Sequence, residues 1–291
     1  MSSARTRQLS RWLVLATLAA GALVMLFPLW WMLVVSLETP RNAGAATVDA
    51  TSMRLWPEAP QWANYPDALA EVGTERWEGF LDAFANSVVI TVLVVLGTVL
   101  SSSLVAYALS RVRFRGRGPL FALMLGTMML PPQVTMIPLF LLFRNLGWID
   151  TILPLVVPAF FGNAFFVFMF RQFMAQVPEA LVEAARLDGC GHLEIWWRVM
   201  LPLCKPVIAI TAVFTFIFVW NDFLGPLIYL HSEEKATLAI ALNSFRNQYG
   251  GLEDVQYLMA VSLVTMLPCI LLFFVAQKQF VEGLGKGAVK G

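Results

Sequence analysis

Catalysis needs a nucleophile, a metal site, a phosphate cradle or a placed acid and base, and this chain offers few side chains for any of them. Ser101, Ser102 and Ser103 are a dense run of hydroxyls, but they are not set in the turn that presents a serine nucleophile. His192 and His231 are the only histidines, and neither has a carboxylate placed to orient it. Cys190, Cys204 and Cys269 are odd in number, widely spaced and lack a Cys-x-x-Cys pair. They read as small core residues rather than a disulfide framework or metal site. No Gly-rich loop ending in Lys-Ser or Lys-Thr is present to cradle a nucleotide phosphate. The expectation is no catalytic residue, no metal, no cofactor, and a protein that is not an enzyme.

Composition says where the remaining polar groups must work. Of 291 residues, 58% are hydrophobic and 13% are charged, about half the charged share of an ordinary soluble domain. A soluble fold needs more polar surface than that, so the bilayer is the fitting solvent. The net charge of +1 makes no case for a nucleic-acid partner. Crossing a hydrocarbon core about 30 Å thick takes about 20 helical residues, and six segments qualify: 12–36, 86–110, 119–143, 152–170, 206–230 and 258–277. The expected fold is all-α and integral to the membrane, with about six transmembrane helices. An N-terminal span and external loop occupy 1–84, and a five-helix core occupies 85–291. Arg5, Arg7 and Arg11 precede the first span as in a secretory signal, but its apolar run exceeds the roughly 7–15 residues of a signal core. Pro28, Pro131, Pro132 and Pro268 lie in or near spans and predict kinks, whose freed carbonyls neighbouring helices can satisfy. The boundary at Pro131-Pro132 is the hardest to place.

Asn221 and Asp222 follow the apolar run 212–220, toward the outer side of mid-depth. A carboxylate facing lipid costs about 2.5–3.5 kcal/mol on insertion scales, so Asp222 is expected to face the bundle or a hydrated cavity. Both residues could line a solute path, or could pin helices and cap the kink before Gly225-Pro226.

Most of the 20 lysines and arginines fall in segments that are cytoplasmic if the N-terminus is inside. The tightest group is Arg111, Arg113, Arg115 and Arg117 in a short turn between spans, which reads as a topology signal with phospholipid contact. The positive-inside rule selects N-in and C-in. Two long outer segments follow, 37–84 and 231–257. The first is rich in Trp, Tyr and Pro, and the second carries the apolar patch Leu238, Ile240, Ala241, Leu242 and Phe245, which argues against a disordered loop.

The inner loop 171–206 has its own helical grammar. Pro178 can open a helix, Glu179 puts negative charge in its first turn, and Gly189 can close it in a left-handed cap. Residues 178–188 would form about three turns. Leu181, Ala184, Ala185 and Asp188 would share one mostly small face, and Glu183 could hold a basic partner. A second amphipathic piece runs through Ile195, Trp196, Val199 and Met200 and is expected to stop at Leu201-Pro202.

Glu183-Ala184-Ala185-Arg186-Leu187-Asp188-Gly189, followed after residues 190–198 by Val199-Met200-Leu201-Pro202, resembles the EAA loop, EAA-x3-G-x9-I-x-L-P, of bacterial ABC importer permeases. Glu183, Ala184, Ala185, Gly189, Leu201 and Pro202 match; Val199 replaces the usual isoleucine. The Ala106-Tyr107-Ala108-Leu109-Ser110-Arg111, Met129-Leu130-Pro131 and Trp220-Asn221-Asp222-Phe223 stretches and the glycine-rich tail from Phe280 are similar to the carbohydrate-uptake subgroup, typified by the smaller permease of the maltose transporter. The resemblance implies a heterodimer with a second permease, two cytoplasmic ATPase subunits, an external solute-binding protein and a bacterial inner-membrane location. It also implies that 178–188 is a coupling helix within the loop 178–202, and that the solute is a sugar or oligosaccharide. Glycerol phosphate or a polyol is the alternative within the subgroup. A proton-coupled secondary transporter, for which Asp222 alone comes near supplying a buried titratable group, and a membrane-embedded enzyme are the weaker readings. Sugars are held through hydroxyl hydrogen bonds and aromatic faces, so Asn163, Trp220, Asn221 and Asp222 are the substrate-path candidates, each with helix packing as its competing role.

Overall fold

A computed structural model describes residues 2–39, 55–71, 79–249 and 255–288. Helices and turns are the only regular structure among them, as expected where backbone groups in lipid must bond within their own segment. The helices are α1 (Ser2–Ser36), α2 (Asn64–Glu71), α3 (Phe80–Arg111), α4 (Arg117–Thr127), α5 (Pro132–Asn145) and α6 (Leu153–Val156), which runs into a 3-10 turn over Val157–Phe161. Then come α7 (Ala164–Ala175), α8 (Glu179–Leu187), α9 (His192–Leu203), α10 (Lys205–Trp220), α11 (Leu224–Tyr229), α12 (Leu238–Tyr249) and α13 (Val255–Ala288). Four stretches are long and apolar enough to cross a membrane: Ser10–Ser36, Phe80–Arg111, Leu153–Ala175 and Val255–Gln277. Two bent pairs raise the number to as many as six: α4 with α5, turned by 99°, and α9 with α10, turned by 82°.

The prolines behave unequally. Pro28 and Pro268 sit inside uninterrupted helices, whereas Pro131 and Pro132 mark the sharp turn into α5, where a proline at the first helical position loses no hydrogen bond. Pro202 does not stop α9. The helix widens just before it, with the Leu201 N–H bonded to the Trp196 carbonyl in a π-turn over Trp196–Met200. That step shifts the register ahead of the residue that cannot donate, and the chain turns only at Cys204.

By its contacts the chain divides into two compact units, Met1–Thr74 with Leu242–Leu267 and Glu75–Ala241 with Pro268–Gly291. The first unit therefore includes part of the C-terminal region. Within it, the described part of the expected outer segment 37–84 is fastened to the end of α1. Asn64 Nδ2 donates to the carbonyls of Ser36 and Glu38 at 2.8 and 2.9 Å, Ser36 Oγ and Tyr65 OH share a 2.9 Å bond, and Trp30 packs on Trp56. Residues 40–54 and 72–78, the tip 250–254 and the tail residues 289–291 lie outside the described residues.

The second unit is built around α3. One end is dry: Phe170, Met174, Ile195, Met200 and Cys204 are fully buried, with Val182 of α8 and Val207 of α10 against them. Close approach along α3 depends on Gly97, where an added Cβ would lie 2.7 Å from the Phe160 ring. At the other end a clasp joins the loop after α5 to the loop after α11. Asp150 Oδ1 accepts from the N–H groups of His231 and Ser232 at 3.0 and 2.9 Å, Oδ2 meets the Ser232 hydroxyl, and Lys235 Nζ lies 3.0 Å from Oδ2. The Ser232 hydroxyl and N–H, aided by His231 and Lys235, hold the Asp150 carboxyl far below the usual carboxylate range. The apolar patch of 231–257 is folded, not solvated: Leu238, Ile240, Ala241 and Phe245 of α12 are buried. Asn86 and Ser87 of α3 bond the backbone of residues 234–238 just before it.

Candidate functional site

The loop between α7 and α10 carries the first candidate surface. Pro178 precedes α8 in extended backbone, Glu179 lies in its first turn, and Arg186 lies in its last. Gly189 closes it with φ +84°, its N–H on the Arg186 carbonyl and the Cys190 N–H on the Ala185 carbonyl. A Cβ at Gly189 would touch nothing, so the glycine is required by its backbone angle rather than by space.

The face that α8 presents differs from the one expected. Val182 and Ala185 are buried against the dry core, while Leu181, Ala184 and Leu187 are exposed, Leu187 by 89%. The two alanines of the motif therefore part: Ala185 seats the helix and Ala184 faces out. Glu183 is exposed, as are Leu193 and Trp197 of α9. Leu201 is half-buried and Pro202 exposed at the far end of α9. The result is an apolar ledge with a carboxylate at its edge.

Arg111 holds this ledge in place. Its Nη2 donates to the carbonyls of Met174 and Val177, at the end of α7 and in the turn into α8. Arg171 Nε reaches the Leu109 carbonyl, and its guanidinium lies 4.0 Å over the Phe121 ring. Arg117 donates to the Ser110 carbonyl, and Arg113 approaches Glu179 at 3.8 Å. Sequence reasoning assigned the run 111–117 to topology and lipid contact. Beside that expected role, Arg111 and Arg117 donate to backbone carbonyls near the ends of α7 and α3, a use that no spacing rule reveals.

The second candidate is a cavity of about 780 Å³ within the second unit, between α3, the α6–α7 region and α10, well within the size range of small-molecule sites. Asn163 and Asp222 line it; Trp220 and Asn221 do not. Asn163 Oδ1 accepts from the N–H groups of Phe165 and Phe166 and so caps α7. Asp222 Oδ1 accepts from the Gly225 N–H at 3.1 Å, starting α11 where a β-carbon at 225 would collide with the same carboxylate. Asn221 is exposed, its Nδ2 bonded back to the Ile217 carbonyl. Trp220 is buried, stacked on Phe216 and edge-on to Phe84.

Ser101 and Ser102 do no chemistry of their own either. Ser101 Oγ donates to Ala159 O and accepts from the Gly162 N–H, and Ser102 Oγ accepts from the Asn163 N–H. They satisfy the backbone where the 153–175 stretch breaks at Gly162, φ +86°, a break that lipid would not tolerate unpaired. Three further cavity residues were not legible. Thr91, Thr215 and Thr237 are 1%, 5% and 6% exposed, and their hydroxyls have no hydrogen-bond partner. A buried hydroxyl left unmade costs about 1–3 kcal/mol. Thr91 and Thr215 stand in apolar helices, where a threonine ordinarily back-bonds to a carbonyl of the preceding turn, and Thr237 precedes α12, so nothing in their spacing marks them as different.

Residues 99–286 match the family described as the binding-protein-dependent transport system inner membrane component. An arabinooligosaccharides transport system permease protein of Halalkalibacterium halodurans is 34% identical over 99% of each chain. A melibiose/raffinose/stachyose import permease protein of Bacillus subtilis is 30% identical over the whole of both. An sn-glycerol-3-phosphate transport system permease protein of Yersinia enterocolitica is 32% identical over 92% of this chain and 93% of the relative. Among solved structures, a chain of a bacterial ABC transporter involved in the import of the acidic polysaccharide alginate superposes with a TM-score of 0.77 at 27% identity, over 94% of this chain and 97% of that one.

Proposed function

The chain belongs to the family of binding-protein-dependent transport system inner membrane components, and we propose that, as the permease subunit of an ATP-driven importer, it moves a sugar or oligosaccharide inward by alternating access. It is a multi-pass inner-membrane transport protein that works with other components of its transporter. In this reading those components are a second permease, two cytoplasmic ATPase subunits and an external solute-binding protein. ATP hydrolysis belongs to the partners, and this chain supplies the path and the lever. The N- and C-termini and the loop 178–202 are cytoplasmic, and 37–84 and 231–257 are external.

The observation that carries the proposal is α8: a glycine-capped helix seated by Val182 and Ala185 on a dry core, with Leu181, Ala184 and Leu187 turned outward beside Glu183. Exposed apolar residues of this kind mark a docking surface, and Glu183 suits a basic site on an ATPase. When the ATPases close, a helix so mounted transmits the movement to α3, α7 and α10 as a packed, two-state rearrangement. The chemistry that this requires of the chain is none.

The glycerol phosphate carried by the Yersinia relative's system is the second reading, since that relative is about as similar as the sugar permeases. Reconstitution decides the class of machine. ATP-dependent uptake of a labelled sugar into proteoliposomes should require this chain, the second permease, the ATPases and the binding protein together. Uptake by this chain alone, or driven by a proton gradient without ATP, overturns the proposal. Orientation is tested separately with a single cysteine at position 115 in a version lacking the native cysteines. Labelling there by an impermeant reagent outside intact cells would reverse it.

A further inference from the structure

We propose that Asp150 is a positioning residue for an external partner: it holds the segment 229–238, which leads from α11 into α12, in one ordered shape for the solute-binding protein to meet. The proposal rests on the permease reading, in which this segment is external, and deepens it by naming the residue that orders an outer docking surface.

Every polar group of Asp150 bonds this one segment. Its N–H donates to the Tyr229 carbonyl at 2.8 Å, and its own carbonyl accepts from Lys235 Nζ at 2.7 Å. Its carboxylate accepts from the N–H groups of His231 and Ser232, the Ser232 hydroxyl and the Lys235 ammonium. The backbone there has φ +61°, and Asp150 is the one non-glycine with a positive φ among the described residues. Aspartate is among the few side chains that enter this region readily, so the residue type suits the angle as well as the bonds. α3 fastens the same segment from another side. Asn86 Nδ2 donates to the carbonyls of Glu234 and Ala236, and Ser87 Oγ accepts from the Leu238 N–H.

These bonds differ in purpose from those at Gly162. A break inside lipid has to be paired by protein, because no water is there. On the outer face water can satisfy a loose segment, so bonds of this kind add little satisfaction and act on order instead. Water does reach the clasp: the Lys235 and Asp150 side chains are 41% and 30% exposed. The segment carries only one short 3-10 turn, Glu233–Lys235, so its shape comes from these side chains rather than from a ladder of its own. His231, Glu233 and Glu234 stay exposed on it. From Asn86 and Ser87, α3 runs without a break to Arg111, which bonds the turn into α8. One helix therefore joins this outer surface to the loop 178–202. A partner that lands on a pre-ordered surface is spared the entropy of ordering it. Loss of the clasp therefore weakens docking and leaves the turnover of the docked complex unchanged.

The experiment uses the assembled complex in nanodiscs with ATP. The system's solute-binding protein, supplied with a mixture of raffinose, arabinotriose and glycerol 3-phosphate, is titrated while ATP hydrolysis is followed. Asp150→Gly removes the carboxylate and still accepts φ +61°. It should raise the half-saturating concentration of binding protein about fivefold, roughly one net hydrogen bond, with the maximal rate unchanged. Asp150→Asn keeps an acceptor for the two N–H groups and tolerates the same φ, so the rise should be smaller. Lys235→Met leaves residue 150 untouched and should also raise it.

A merely structural role would remove folded complexes, lowering the maximal rate at an unchanged half-saturating concentration. That result, or an unchanged half-saturating concentration in both Asp150→Gly and Lys235→Met, overturns the proposal while the permease reading survives. If the binding protein does not stimulate even the unmodified complex, the permease reading falls and the proposal with it.

Discussion

The two candidate regions of the second unit are made of the same kind of helix and packed in opposite ways. Under the loop 178–202, Phe170, Met174, Ile195 and Met200 are fully buried, and Arg111 donates to a carbonyl at the end of α7 and another in the turn after it. Around the cavity, the hydroxyls of Thr91, Thr215 and Thr237 are buried without partners, and Phe165, Phe214 and Phe218 are exposed along its wall. Under the loop, too, Arg111 Nε and Trp196 Nε1 are buried without partners, so what distinguishes this region is the closeness of its apolar packing. The contrast teaches that packing, rather than satisfaction of polar groups, separates the two regions: side chains close on one another under the loop and leave ring surface uncovered around the cavity.

The contrast breaks first at α8 if it breaks at all. Gly189→Val forces a β-branched residue to φ +84°, a conformation costing about 1–2 kcal/mol for an ordinary L-residue and more for a branched one. Glu183→Lys reverses the charge at the edge of the ledge. Both should abolish transport while the protein remains in the membrane, measured as loss of binding-protein-stimulated ATPase in purified complexes. Normal stimulation in both would remove the coupling assignment.

Arg111 offers a graded test of the same region. Arg111→Met strips two charge-assisted hydrogen bonds, each worth about 1.5–3 kcal/mol, and should lower the unfolding temperature of the detergent-solubilised complex. Arg111→Lys should recover part of that loss, since an ammonium reaches the carbonyls without the fork. An unchanged melting temperature in Arg111→Met would mean that the ledge needs no such tie.

On the cavity side, Asp222→Asn keeps the oxygen that accepts from Gly225 and removes the charge. Assembly and ATPase stimulation should survive, and uptake of a neutral sugar should change by less than about threefold, a difference under 1 kcal/mol. Loss of assembly would instead assign the carboxylate wholly to helix capping.

The smallest effect belongs to the clasp at the opposite end from the coupling loop. Asp150 is held below the ordinary value of 3.8, so the unfolded chain takes up a proton first as the solution is acidified. The stabilising contribution of the clasp is therefore complete above about pH 4 and drains away as the pH falls from there toward the folded value. Thermal unfolding followed between pH 7 and pH 3 should show that loss, and Asp150→Asn should flatten it. A loss of equal size in Asp150→Asn would place the acid sensitivity elsewhere.

The all-helical class, the long spans near 12–36, 86–110 and 258–277, and a glycine-closed helix within 178–188 could be read from the chain because each depends on local rules: apolar length, backbone hydrogen bonding in lipid, and the single residue type that tolerates a positive φ, whereas the expected spans 119–143 and 206–230 are each broken into two helices. The motif of Glu183, Ala184, Ala185, Gly189, Leu201 and Pro202 was legible through its resemblance to the loop of a known family, which fixed spacing makes recognisable. Long-range partners were not. Which alanine of α8 turns inward depends on Phe170, Met174, Ile195 and Met200 arriving beneath it. Pro202 could be carried through only because a π-turn formed before it. Ser101 and Ser102 found their acceptors and donors some sixty residues away, and Arg111 found its carbonyls at a similar remove. Thr91, Thr215 and Thr237 became a set only when α3, α10 and the segment before α12 were brought around one cavity. A threonine in a helix has a carbonyl within reach one turn back, and only packing decides whether its hydroxyl takes that bond or is left for something else.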